Sequence, residues 1–133
     1  MRQFLKVMKA LGDGTRVKIL KLLQHRTLCV CELTSVLGLS QSAVSKNLKL
    51  LEDAGLVTFG RQGPWINYRL AEDNPYAAAI AAHLREWLED DPVIRVLLAK
   101  ADSVDRVSIC GRQASARSGK AAVSAAGEDQ RGS

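Results

Sequence analysis

Two thiols stand two residues apart in Cys29-Val30-Cys31-Glu32-Leu33, and a thiolate is both a nucleophile and a soft-metal ligand. The apolar spacing of Leu28, Val30, Leu33, Val36 and Leu37 predicts a helix from Leu28 to Leu37, with both cysteines in its first turn. There the unpaired backbone N–H groups and the helix dipole favour negative charge, and so the thiolate. At roughly 100° per residue the two side chains point about 200° apart, so they cannot share one buried face. Binding one ion through both then requires the first turn to unwind or distort. A disulfide within C-x-C is strained, and without a second pair or a suitably spaced His the string is a poor structural zinc site. Thiolate ligation and thiol oxidation are the two chemistries that remain.

Enzyme chemistry is not expected. There is no G-x-G-x-x-G string, and Gly55 to Gln62 has the glycine spacing of a phosphate loop without its Lys and Ser/Thr. No Ser/His/Asp or paired-carboxylate arrangement stands out. A thiol-transfer enzyme would need a nucleophile-and-anion loop that the Cys29 region does not supply.

The elements around the thiols suggest a nucleic-acid reader. Phe4, Leu5, Val7, Met8 and Leu11 mark a first helix closed by Gly12. Asp13 caps a second, with Val17, Ile19, Leu20, Leu22 and Leu23 inward and Arg16, Lys18, Lys21 and Gln24 outward. The third helix stops at Gly38, a natural left-handed terminator, and Ser40 caps a fourth ending at Ala54-Gly55. Two helices joined by Gly-Leu-Ser form a helix-turn-helix signature. Leu56 to Phe59 and Trp65 to Leu70 read as strands flanking the turn formers Gly60 to Pro64. A helix-turn-helix followed by such a hairpin is a winged helix, mainly α with a β-hairpin wing. A further helix runs from Tyr76 to about Asp90, with Pro75 in its first turn, and Val93 to Ala99 adds a short turn or helix. Exposing Trp87 on the apolar stripe of that fifth helix is costly, so the helix packs on its own core or on a second subunit.

In such a motif the second helix enters the major groove with its N-terminal residues at base edges. Those are Gln41, Ser42, Ser45 and Lys46, with Lys49 a turn later. Gln pairs with adenine or other edges, and Lys reaches guanine or phosphate. Arg61 and Gln62 sit near the tip of the wing, where a long cationic side chain can follow the phosphate backbone or enter a minor groove. Charge agrees with this placement. The 133 residues carry a net +5, and the excess lies in residues 1–70, with eleven basic and four acidic side chains, while residues 71–100 are net acidic.

Composition bounds the rest. At 47% hydrophobic the chain supports one ordinary core, which we place in residues 1–100 as a DNA-binding and dimerisation domain. Residues 101–133, seventeen of them Ala, Ser or Gly, read as a flexible tail. Three cysteines cannot form a disulfide framework, no apolar run approaches the roughly 18 residues of a membrane span, and the start lacks a signal-peptide pattern. A cytoplasmic location is expected.

Leu28-Cys29-Val30-Cys31-Glu32-Leu33, then Gly38-Leu39-Ser40-Gln41-Ser42-Ala43-Val44-Ser45-Lys46-Asn47-Leu48, and the strand Trp65-Ile66-Asn67-Tyr68-Arg69-Leu70 together resemble the ArsR/SmtB family of bacterial metalloregulatory repressors over about residues 4–90. The C-V-C-[DE]-L string is similar to the branch that senses trivalent arsenic. That resemblance implies a homodimer, using its first and fifth helices as interface, bound to double-stranded palindromic operator DNA until arsenite or antimonite binds the cysteines. Some arsenic sensors have a third cysteine where this chain has Thr34, which leaves Cys110 as the candidate third sulfur, with an external thiol or a two-ligand site as the other options. The cadmium branch has extra N-terminal cysteines, absent from residues 1–28 here. Of the zinc branch's sites, His83-Leu84-Arg85-Glu86 reproduces half, without the upstream His, and reads as an ordinary solvated pair. A repressor of the same fold that senses redox state or reactive sulfur is the chief alternative. His25 has no ligand-like neighbours in the sequence and is assigned no role.

Overall fold

Helix α2 (Gly14–His25) is the centre of the molecule. Helices α1 (Arg2–Leu11), α4 (Gln41–Asp53), α5 (Pro75–Leu84) and α6 (Pro92–Ser103) all pack against it, as does a strand of the one small sheet. The computed structural model describes residues 1–104. Five successive residues of α2, Ile19 to Leu23, are buried, because protein surrounds the helix on every side. Leu28, Leu33, Val44, Leu48, Leu51 and Leu56 close the core around it.

Being enclosed forces one departure from expectation: Lys21 does not face outward but is fully buried. Its ammonium donates to the Leu84 carbonyl at 2.6 Å and to Gln24 Oε1 at 3.2 Å, and it pairs with Glu89. These acceptors supply what a buried cation needs.

The helix-turn-helix forms as its punctuation dictates. α3 (Val30–Leu37) ends on Gly38 at φ 69°, ψ 30°, a left-handed conformation in which a Cβ is strained, and its N–H donates to the Thr34 carbonyl at 2.9 Å. Ser40 Oγ then accepts from the Ala43 N–H at 3.1 Å and starts α4. Strands β2 (Val57–Gln62) and β3 (Trp65–Leu70) pair antiparallel from Val57 opposite Leu70 to Gln62 opposite Trp65. Gly63 has φ 60° and Pro64 cannot, so the two-residue turn is of the kind with only its first central residue at positive φ.

Several boundaries differ from the sequence reading, beginning with β2, which runs on through Gly60, Arg61 and Gln62, expected as turn residues. Leu28 and Cys29 are strand β1 rather than the start of a helix; they pair with Tyr68 and Asn67 of β3 in a sheet of order β1-β3-β2. Strand pairing partners are remote in sequence, so the local apolar spacing could not separate these residues from the helix that follows. The fifth helix ends at Leu84 rather than near Asp90. Lys21 takes the Leu84 carbonyl, Leu88 adopts φ 65°, and the chain turns so that Trp87 stacks on His83 with ring centroids 4.6 Å apart. The last helix is longer than expected: Asp91 caps it by accepting from Val93 and Ile94, Pro92 opens it, and it runs past residue 100 to Ser103, with Ala101 buried. The remainder of the expected tail, Cys110 included, lies outside the described residues. No described helix is long and apolar enough to cross a membrane.

Candidate thiol site and nucleic-acid interface

Gln41, Ser42, Ser45, Lys46 and Lys49 are all exposed along one side of α4, while Val44, Leu48 and Leu51 anchor the other side in the core. Lys49 lies 3.6 Å from Asp53 one turn on, an exposed pair that tempers its charge. Arg61 and Gln62 are exposed at the end of β2, and Gln62 Oε1 accepts from the Asn67 amide at 2.7 Å across the hairpin. The structure therefore places the seven expected DNA-facing residues on two exposed edges, the start of a helix and the tip of a wing.

Behind them lies a residue that the sequence reading passed over as merely outward-facing. Arg16 donates through Nε to the Ala10 carbonyl at 2.9 Å and through a terminal nitrogen to the Lys9 carbonyl at 3.2 Å, capping α1. Its other terminal nitrogen donates to Asn47 Oδ1 of α4 at 3.2 Å. One guanidinium thus ties the end of α1 to the middle of the helix that would read DNA. A lone Arg in a sequence gives no signal of such a role.

The thiols are arranged differently from the helical expectation. Cys29 is not in the first turn of α3; it is the residue before it, extended at φ −92°, ψ 171°, and only 3% exposed. Cys31, inside the helix, is partly exposed. The expectation that one of the pair is less well buried holds, but the 200° helical separation does not describe it, because Cys29 has left the helix. Cys29 and Glu32 form a capping box: Glu32 Oε1 accepts from the Cys29 N–H at 2.9 Å, and the Cys29 side chain faces the Glu32 backbone N–H in return. The spacing C-x-x-E was the visible signal, and a sulfur in place of the usual hydroxyl hid it. Glu32 is 1% exposed, and its second oxygen accepts from Arg26 at 2.9 Å. The Cys29 sulfur faces the Glu32 backbone N–H at the start of α3, and a sulfur can serve there as a soft-ion ligand or be oxidised.

Cys29 also sits opposite Asn67 of β3, so the thiol segment is at once the cap of α3 and the edge strand of the wing sheet. Among the described residues no group of three or more His, Cys, Asp and Glu side chains could hold a metal ion. His83 and Glu86 are both exposed, and His83 is engaged by the Trp87 ring. His25, expected to be idle, lies 2.8 Å from Asp102 of α6 through its Nε2.

Helix, turn, helix and wing, with exposed polar residues at the start of α4, define a winged helix-turn-helix protein of the DNA-binding class. Comparison with known proteins gives its family: the bacterial regulatory protein, arsR family, matches residues 13–58. The arsenical resistance operon repressor of Escherichia coli is 36% identical over 110 residues, covering 80% of this chain and 94% of that one. The arsenic resistance transcriptional regulator ArsR1 of Pseudomonas putida is 37% identical over 91 residues, 64% of this chain and 71% of that one. A cadmium resistance regulator, the CadC homolog of Staphylococcus aureus, is 36% identical over 70 residues, 52% of this chain and 58% of that one. Among solved structures, the homodimeric winged helix-turn-helix DNA-binding domain of Mb0332 from Mycobacterium bovis superposes with a TM-score of 0.56 at 32% identity, covering 63% of this chain and 76% of that one. The chain belongs to the ArsR family of transcriptional repressors, whose members are DNA-binding regulators and not enzymes.

Proposed function

We propose that this repressor binds operator DNA as a homodimer and is released when trivalent arsenic or antimony binds its cysteine thiolates. The observation that carries the reading is the position of Cys29, which caps the supporting helix of the helix-turn-helix and pairs with the wing strand. An ion drawn between Cys29 and Cys31 pulls on both DNA-facing elements together: α3, which packs on α4, and β3, which carries the wing. The helix itself need not unwind; the cap moves. Cys110 is the third sulfur in this reading. Gln41, Ser42, Ser45 and Lys46 read base edges, Lys49, Arg61 and Gln62 hold the backbone, and the unit that binds and dimerises runs through α6. The protein works in the cytoplasm.

Release requires the metalloid to bind the DNA-free form better than the bound form, and a typical coupling of about 1–3 kcal/mol weakens operator affinity roughly 5–150-fold. The test is arsenite-dependent dissociation from operator DNA under strictly reducing conditions. Cys29→Ser and Cys31→Ser should keep DNA affinity and lose the response, and a wild-type response from either removes the thiol pair as the site. Cys110→Ser weakens arsenite binding if the third sulfur is assigned correctly; unchanged affinity takes it out. Release by oxidant or polysulfide but not by arsenite favours a thiol-oxidation sensor, the reading supported by the same N-terminal thiol environment. Release by cadmium or zinc alone returns the protein to the branch of its cadmium-resistance relative.

A further inference from the structure

The thiol pair is joined to the far end of α6 by two planar groups in series. Glu32 divides its oxygens: Oε1 takes the Cys29 N–H at 2.9 Å and Oε2 takes one terminal nitrogen of Arg26 at 2.9 Å. Arg26 divides its nitrogens in the same way, and the other donates to the Ala101 carbonyl of α6 at 3.0 Å. Arg26 stands just past the end of α2, Glu32 is buried in α3, and Ala101 is buried in the last turn of α6. A carboxylate and a guanidinium each fix the angle between their partners, so the chain from Cys29 to Ala101 has little slack. A second tie closes on the same turn of α6, where His25 meets Asp102 at 2.8 Å.

We propose that Arg26 and Glu32 are positioning residues that couple the geometry of the thiol pair to the docking of the end of α6. Glu32 is too well buried to leave its partners without cost. A ligand that draws Cys29 off its cap takes away one of the groups that hold the Glu32 carboxylate, the carboxylate shifts, and Arg26 loses its grip on Ala101. The last turn of α6 loosens in consequence. By reciprocity, loosening that turn changes how the thiols are presented. The coupling stands on geometry alone; only its use in sensing rests on the metalloid reading above.

Hydrogen exchange and thiol labelling of the full chain test it. In Arg26→Ala, Cys29 labelling by N-ethylmaleimide, followed on its own peptide, should rise about tenfold, the loss expected for a charge-assisted hydrogen bond, and Arg26→Lys should recover part of it. In Glu32→Gln, amide exchange at residues 99–104 should rise by a similar factor relative to residues 19–23 of α2. A wild-type labelling rate in Arg26→Ala, or unchanged exchange of the α6 turn in Glu32→Gln, overturns the coupling. So does an equal rise through α2, which is general destabilisation. With arsenite on the wild-type protein, Cys31 should be protected from label and residues 99–104 should exchange faster. Absence of protection counts against the metalloid reading and leaves the coupling to the two variants; protection without faster exchange overturns the coupling.

Discussion

Tyr68 shows how far one side chain's setting departs from what its identity suggests. It lies in the middle strand of the sheet, opposite Leu28 on one side and Phe59 on the other, and its phenol is pushed above the usual value near 10 by burial first and by the Glu52 carboxylate second. A raised folded value means the unfolded chain ionises first, so this contribution is intact below about pH 10 and is lost as pH rises beyond it. The unfolding free energy should therefore decline on the alkaline side, and Tyr68→Phe should flatten that decline. Urea titrations from pH 8 to 11 measure it, and an equal slope in both proteins rules the phenol out. Of the single residues, the thiol pair and the exposure of the Gln, Ser and Lys side chains of α4 were legible from type and spacing. The partners of Arg16, Lys21, His25 and Arg26 were not, because each meets acceptors brought to it by elements distant in sequence.

At the scale of elements, punctuation was read well and lengths less so. Gly38 and Ser40 mark their boundaries through local backbone demands. Gly38→Ala should cost about 1 kcal/mol, since the Cβ meets no neighbour and only the left-handed backbone is penalised, whereas Gly38→Asn should cost less; chemical denaturation distinguishes the two. The end of α5 is a tertiary decision. Local apolar spacing would carry that helix on, but Lys21 offers its ammonium to the Leu84 carbonyl and Glu89, and the chain turns instead. Lys21→Met preserves most of the volume and removes the donor, so it should destabilise the fold by about 1–3 kcal/mol, the cost of stranding a buried carbonyl. A change below about 0.5 kcal/mol would show that water reaches Leu84. The wing is its own element, and Arg61→Ala should reduce the salt dependence of DNA binding by about one phosphate contact across unrelated sequences.

Among the described residues, α1 offers one open apolar face of the molecule. Val7 and Ala10 are buried while Phe4, Leu5 and Met8 stay exposed, an apolar surface of the kind a second copy covers. Leu5→Glu with Met8→Glu should yield monomers in sedimentation at concentrations where the parent is dimeric, and should weaken operator binding with no loss of helix signal. A parent chain that sediments as a monomer, or a variant that remains dimeric, moves the interface elsewhere. In the proposed dimer, two half-sites about 34–36 Å apart set what must be spanned, and the Arg16 bridge from α1 to α4 is placed to hold that span.

Caps, turns and apolar periods act within a few residues of themselves, so the winged helix-turn-helix was legible in the sequence, as were the exposure of the residues expected to face DNA and the unequal burial of the two thiols. Only the tertiary structure decided that Cys29 is a strand residue and a cap rather than a helix residue, since its place depends on pairing with Asn67, thirty-eight positions on in the numbering of the chain. It likewise decided that a lysine and a glutamate lie in the core, where buried charge is tolerable only because carbonyls, an arginine and a backbone N–H come within hydrogen-bonding distance.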